Sequence, residues 1–330
     1  MKSCPKILVL LGPTATGKTE LALQVARLLD GEIISADSRQ AYRGLEVGTG
    51  APSPAERTRA PHHGVAFLEP GERYGAGRFA RLCRQWVADI ESRGRTPILA
   101  GGTGFFVRAV TRPVFREPEL DEGRRSWLTT WLSGLPPDEI RRWVQRLDPA
   151  LADRLAVVDR QRAGRTLELV FLTGRSLTWW QSHAEPEGDP VPARTWVLQL
   201  DPDLHRARIE KRVRSMLDSG WLEEVRALAA SGHGPGSPGM TSIGYLDAWR
   251  FAAGEISRDE AVSAIVRDTW QYARRQRTWL RHQLEDDATR VDANVDIPEL
   301  ARAIAADWTR TIDGEWNPRE NQPMSDSERP

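Results

Sequence analysis

Apolar positions in the first third of the chain fall in short continuous runs, separated by stretches with helical spacing. Ile7–Leu11, Glu32–Ser35 and Pro97–Ala100 read as strands, while Leu21–Leu29 and Phe79–Ile90 carry the recurrence of amphipathic helices. Strands alternating with helices predict a parallel, doubly wound sheet whose ligands sit at the carboxyl ends of the strands. Each of these strands runs into a loop of distinct composition. The loops are Gly12–Thr19, Asp37-Ser38-Arg39-Gln40 and Gly101-Gly102-Thr103-Gly104.

From about Pro113 to Pro192 the pattern becomes helical and heavily charged, with Trp127, Trp131, Trp143, Trp179 and Trp180 and no convincing strand. The Pro/Gly-rich segment Glu185–Pro192 reads as a boundary loop. Strand texture returns at Thr195–Leu200, followed by amphipathic helices near Leu204–Leu217 and Asp259–Leu284. The expected architecture is α/β: a P-loop NTPase-like parallel sheet core flanked by helices, with an all-helical insertion domain. The core spans 1–112 and 193–311, the insertion spans 113–192, and 312–330 is a polar, Pro-containing tail expected to be disordered. Most of the thirteen tryptophans fall at helical spacing among apolar residues and are expected in cores.

Composition narrows this picture modestly. The 330 residues carry 46 Lys+Arg against 46 Asp+Glu, so overall charge does not point to a nucleic-acid partner. Cys4 and Cys83 lack metal or redox spacing and are expected as free buried thiols. No apolar run approaches ~18 residues and no signal-peptide core is present, so a cytoplasmic protein without a membrane span is expected.

The first loop carries the strongest chemistry. An apolar strand runs into Gly12-Pro13-Thr14-Ala15-Thr16-Gly17-Lys18-Thr19, the P-loop pattern, and then into a helix. Glycines permit the tight turn that aims backbone N–H groups and the helix N-terminus at an anion. Lys18 adds a point charge, and the Thr19 hydroxyl is placed to hold Mg²⁺. No acid ends the third strand, so the candidate carboxylate is Asp37 after the second. It suits a small-molecule kinase orienting a hydroxyl, or a general base acting on a nucleophile that attacks a phosphate-bearing substrate. A turn-forming aspartate is the structural alternative.

Taken together, these segments resemble the tRNA dimethylallyltransferases (tRNA isopentenyltransferases) to about residue 284. The resemblance rests on the P-loop, Ala36–Leu45 with Gly48-Thr49, Pro61-His62-His63, Gly101–Gly104, Asp159–Glu168 and Arg274–Leu280. It implies transfer of a dimethylallyl group from dimethylallyl diphosphate to N6 of adenosine-37, beside the anticodon of tRNAs reading codons that begin with U. By resemblance, Thr14, Asp37 and Arg212 are catalytic, with Asp37 accepting the N6 proton and Arg212 neutralising the diphosphate. Arg208 and Arg212 share a helix flank, and on residues alone a solvated role is as good a reading for Arg212. The implied tRNA contacts are Asp37, Ser38, Arg39, Gln40, Thr103, Arg124, Gln161, Arg162, Arg165, Arg274, Arg275, Arg277, Trp279 and Arg281. The family also implies nucleotide binding at the P-loop, Mg²⁺ as cofactor and the anticodon stem-loop as partner; apart from the resemblance, no membrane contact and a monomer are expected.

The residues themselves support an RNA partner. Arg267, Arg274, Arg277 and Arg281 fall at offsets of 7, 10 and 14 along one predicted helix face, interleaved with Tyr272 and Trp279. Together with Arg160, Arg162 and Arg165 on the insertion they suggest a two-sided clamp. Thr241 and Leu246 stand where the family carries basic residues, Ala66 where it carries an acid, Ala41 where it carries a larger aliphatic and Phe106 where it carries tyrosine. Two other classes remain open at this level: a small-molecule or nucleoside kinase, and a non-catalytic RNA-binding protein with a degenerate P-loop.

Overall fold

The computed structural model describes residues 4–154, 160–284 and 287–314. Asp159 and the part of the expected tail from 315 onward lie outside those residues. Six strands, β1 (Ile7–Leu11), β2 (Gly31–Ser35), β3 (His62–His63), β4 (Thr96–Gly101), β5 (Ala193–Gln199) and β6 (Thr289–Asp292), form one sheet. Their spatial order is β3-β2-β4-β1-β5-β6, and every pairing is parallel. All five residues of β1 are fully buried between β4 and β5, which is why this strand is a continuous apolar run rather than an alternating one.

Helices α1 (Lys18–Leu28), α2 (Glu46–Thr49), α3 (Pro54–Arg59), α4 (Ala76–Ser92) and α5 (Gly104–Thr111) belong to the first part of the core. An internally packed unit of residues 113–189 follows, with α6 (Glu122–Gly134), α7 (Pro137–Leu147), α8 (Pro149–Arg154), α9 (Arg160–Thr173) and α10 (Leu177–His183). The core unit resumes with α11 (Pro202–Asp218), α12 (Trp221–Ala230), α13 (Tyr245–Ala252), α14 (Arg258–Gln283) and α15 (Ile297–Ile312). Of these last five, α12, α13 and α15 were not anticipated, nor were the short edge strands β3 and β6. No helix among the described residues is long and apolar enough to cross a membrane.

Each unit has its own core. Leu21, Leu23 and Val25 of α1 pack with Ile304 and Trp308 of α15 on one face of the sheet. A second cluster joins Ile209 and Val213 of α11 to Trp221, Tyr245, Ile265 and Ala273. In the helical unit, Leu128, Leu132, Ile140, Val144, Ala163 and Leu167 interdigitate. Two tryptophans depart from the expected core role: Trp127 and Trp131 are exposed and lie parallel to each other, 6.3 Å apart. On a single helix face their spacing looked the same as that of a buried pair.

The tips of β2 and β4 meet without room for a side chain. Ala36 N–H donates to Ala100 O at 2.8 Å, and Ala36 O accepts from Thr103 N–H at 3.1 Å. A Cβ on Gly101 would overlap the Ala36 carbonyl. Gly101→Ala is therefore expected to cost about 1–3 kcal/mol of stability through overpacking, measured by denaturant unfolding; an unchanged midpoint would contradict this close approach.

Candidate active site at the strand carboxyl ends

Between the end of β1 and the start of α1 the chain turns through two left-handed residues, Ala15 at φ 61° and Gly17 at φ 90°. Gly17 caps α1 without a side-chain hydrogen bond, so the first amide donors of the helix are not taken up by the cap residue. Thr16 Oγ1 donates to Pro13 O at 2.9 Å, and Lys18 Nζ donates to the same carbonyl at 2.6 Å. The loop thus folds its ammonium back on itself. A cavity of about 720 Å³ opens here, and its lining includes Thr14, Lys18, Thr19, Asp37, Gln40 and Arg212.

Asp37 serves the turn and the charge balance together. Its Oδ1 accepts from Arg39 N–H at 2.9 Å, the turn geometry that composition alone suggests. Its negative charge also acts on both Lys18 and Arg212. Burial pulls the Lys18 ammonium down to about 7, with the Arg212 charge adding to the effect and Asp37 opposing it. Burial likewise lowers the Arg212 guanidinium, again opposed by Asp37. Two cations and the Asp37 carboxylate therefore share a cavity that Glu20, Glu46 and Glu56 also line.

Arg212 projects from α11 toward the loop after α2. Its Nη2 lies 3.5 Å from Gly50 O, and Gly50 adopts φ 59°. A Cβ at position 50 would collide with the guanidinium, so only glycine fits. Gln40 ties this loop to β2: Nε2 donates to Gly50 O at 3.0 Å, and Oε1 accepts from Ser35 Oγ at 2.9 Å. Ser38 N–H donates to Thr103 Oγ1 at 3.3 Å. Tyr272 sits beside this pair; burial and the Asp37 charge push its hydroxyl up to about 12, against a hydrogen bond with Thr103. Arg39 Nη1 donates to Pro238 O at 3.2 Å and Thr241 Oγ1 at 2.9 Å, giving Thr241 a local partner.

Along α14, Arg274, Arg275 and Arg281 are exposed, and Arg277 lies 4.6 Å over the Trp270 ring. Partial burial lowers the Arg277 guanidinium, and the neighbouring Arg274 and Arg281 charges add to the effect, so these three form one basic cluster. Arg267 is drawn aside by Asp268 at 2.8 Å. The Trp279 ring covers Gly104, where a Cβ would collide with it. Within the helical unit, Arg124, Gln161 and Arg162 are exposed. Arg165 pairs with Glu117 at 2.9 Å and Glu168 at 3.0 Å, while Arg160 donates to the Leu135 carbonyl at 3.0 Å beyond α6. Cys83 is buried but Cys4 is exposed, correcting the expectation that both thiols are buried: Cys4 precedes β1, whereas Cys83 sits on the buried face of α4.

Sequence reasoning passed over two residues that touch the P-loop. Gln276 of α14 and His205 of α11 both reach the Thr14 peptide. The signal was present: His205, Ile209, Arg212 and Met216 repeat at helical spacing, and Gln276 falls in the buried row of Ala273 and Leu280.

Comparison with known proteins places the chain in one family. The model of the IPP transferase family matches residues 40–283, and that of isopentenyl transferase matches residues 5–61. The chain is 40% identical over 315 residues to a tRNA dimethylallyltransferase of Stenotrophomonas maltophilia, covering 91% of this chain and 96% of that protein. It is 41% identical over 276 residues to tRNA dimethylallyltransferase 1 of Citrifermentans bemidjiense, covering 83% and 88%. Among solved structures, the full-length tRNA isopentenylpyrophosphate transferase of Bacillus halodurans superposes with TM-score 0.66 at 29% identity, covering 94% of this chain and 99% of that one. A eukaryotic dimethylallyltransferase solved acting on tRNA gives TM-score 0.75 at 25% identity, covering 93% and 79%.

The lowered Lys18 ammonium has a measurable consequence. At pH ~8 the free site holds Lys18 largely neutral, and a bound diphosphate should restore its charge with uptake of about one proton, fading toward pH ~6. Calorimetry in buffers of different ionisation enthalpy reads this directly. Uptake that is absent at pH ~8, or that persists in Lys18→Ala, would exclude Lys18 as the group that charges.

Proposed function

Because the chain belongs to the IPP transferase family, we propose that it transfers a dimethylallyl group from dimethylallyl diphosphate to N6 of the tRNA adenosine immediately 3′ of the anticodon. The observation carrying this reading is the shared cavity of Lys18, Arg212 and Asp37: two cations for a leaving diphosphate and one carboxylate for a proton. The product is N6-(dimethylallyl)adenosine, in tRNAs reading codons that begin with U. The site of action is the cytoplasm, where such tRNAs are found.

In the reaction, the N6 lone pair attacks the first carbon of the prenyl chain. The carbon–oxygen bond breaks, its electron pair leaves with diphosphate, and the N6 proton passes to Asp37. Lys18 and Arg212 neutralise charge as it develops on the departing oxygens, and Thr14 lies in the loop that cradles them. An exocyclic amine conjugated to its ring is a weak nucleophile, which is why a poised carboxylate matters. Thr19 lines the same cavity, and one hydroxyl with diphosphate oxygens and waters is a donor set Mg²⁺ accepts. Bound there, Mg²⁺ would supply further charge neutralisation on the diphosphate. Among the described residues no cluster of three or more His, Cys, Asp or Glu is set to hold a metal by protein ligands alone.

The basic cluster Arg274, Arg277 and Arg281, with Arg275 and Trp279, suits an RNA backbone and its unstacked bases. Anticodon-loop bases are single-stranded, so the target adenine can leave the stack at modest cost. On this reading Ser38, Arg39, Gln40 and Thr103, in the loops after β2 and β4, contact that adenine's part of the RNA, and Arg124, Gln161 and Arg162, exposed on the helical unit, contact the RNA further away. Arg165 is read as a further RNA contact, reached from its pairs with Glu117 and Glu168.

The decisive assay incubates the protein with unmodified tRNA, Mg²⁺ and either dimethylallyl diphosphate or ATP, then weighs the digested nucleosides. A five-carbon adduct on adenosine is expected; a transferred phosphate without it would sink the reading. Asp37→Ala should lower turnover by about 10²-fold or more with little loss of tRNA affinity, and unaltered turnover would remove Asp37 as the base. Arg274→Ala combined with Arg277→Ala should weaken tRNA binding and flatten its salt dependence, measured by filter binding. An unchanged salt slope would assign that face to solvation.

A further inference from the structure

Thr14 lies beyond the end of β1 and before the start of α1, so neither its N–H nor its C=O belongs to a helix or strand ladder. Its N–H belongs to the Pro13–Thr14 peptide, whose carbonyl accepts from Thr16 and Lys18 within the loop, and its C=O belongs to the Thr14–Ala15 peptide, before the left-handed Ala15. Each of these two planes is also held by a side chain from a distant helix. Thr14 N–H donates to Gln276 Oε1 at 3.0 Å, and Thr14 O accepts from His205 Nε2 at 2.7 Å.

Both clamps are buried and chemically specific. Gln276 Nε2 donates to Gly102 O at 2.9 Å, so one amide joins the loop after β1 to the loop after β4. A Cβ on Gly102 would collide with that amide, which explains the second glycine of the Gly101–Gly104 loop. His205 is fully buried, and its ring stands edge-on to Trp270 at 5.6 Å. Because the Thr14 carbonyl can only accept, Nε2 must carry the hydrogen, leaving Nδ1 without a hydrogen-bond partner among the described residues. Burial lowers the imidazole against the Thr14 hydrogen bond, and the Arg277, Lys18 and Arg208 charges add to the lowering. The neutral donor form is therefore the one held. Two hydrogen-bonding side chains in buried positions add a fixed orientation to the volume they fill.

We propose that Gln276 and His205 are positioning residues: they grip the two sides of the Thr14 residue and hold the anion loop in the orientation that catches the leaving diphosphate. This rests on the prenyl-transfer reading above. It also gives α14 a second task, since the helix bearing the Arg274–Arg281 cluster sets Gln276, from its buried row, on the phosphate loop.

The test uses the full chain with His205→Phe, His205→Gln and Gln276→Met. Turnover at saturating substrates should fall ~10–100-fold in His205→Phe and Gln276→Met, while the KM for tRNA moves less than ~3-fold. His205→Gln, which restores an N–H at similar reach, should recover to within ~5-fold of the parent. Calorimetric titration with inorganic pyrophosphate should show affinity weakened ~10-fold in the two clamp-breaking variants and largely restored in His205→Gln. Unchanged turnover and pyrophosphate affinity, or a His205→Gln no better than His205→Phe, would overturn the proposal. Loss tracking only the folded fraction in thermal melts would do so as well. Should the Phe or Met variant fail to fold, His205→Asn, too short to reach the carbonyl, carries the same expectation. If the parent itself attaches no five-carbon unit, the prenyl-transfer reading fails while the pyrophosphate titration still decides the clamp.

Discussion

The site is organised around an electrostatic conflict: an ammonium and a guanidinium, partly withdrawn from water, line one cavity with Asp37 as the carboxylate that acts on both. Guanidinium cannot surrender its proton at any ordinary pH, so relief falls to the ammonium. Lys18 meets this by dropping toward neutrality and bonding the Pro13 carbonyl. A multiply charged anion removes the conflict for both groups together. An incoming anion is thus met by one fixed positive charge, Arg212, and by an amine ready to regain its proton.

Much of the surrounding architecture keeps that charge from escaping into solvent. Gly50 leaves room for the Arg212 head, and Gln40 steadies the Gly50 carbonyl. Behind them, α2 is held by Glu224, which accepts from Val47 N–H at 2.7 Å and Gly48 N–H at 3.0 Å, and from Tyr245 Oη at 2.6 Å. Burial pushes the Glu224 carboxyl up, opposed by the Tyr245 hydroxyl and the two amides. Gly48 is pressed against Trp221 so closely that any side chain would collide. A four-residue helix with no buried residue of its own is kept in place by this anchor, because its length alone could not stabilise it.

What could be read from sequence was local. The run Ile7–Leu11, the loop after it and the helix beyond declare themselves because hydrophobic pattern, glycine placement and Lys-Thr fall within fourteen residues, 6–19. Asp37 followed from its place after a strand, and Arg212 from resemblance more than from its own helix. The edge strands β3 and β6 escaped because two and four half-exposed residues carry too little pattern. Arg165 and Arg267 looked free until Glu117, Glu168 and Asp268 were brought beside them by tertiary packing or by a rotamer. Gln276 was hidden in an arginine-rich run, where its burial depends on a loop more than 260 residues earlier.

The connectivity has a consequence for biosynthesis. The central strand β1 gains its second neighbour only when Ala193–Gln199 has been made, after the helical unit with its own core. Contacts of such long sequence separation form slowly, and chains of this size assemble by parts. Gln276 and the cluster on α14 leave the ribosome later still. A nascent chain therefore carries its anion loop for most of translation without the wall that steadies it, and grip on substrate arrives among the last properties the growing polypeptide acquires.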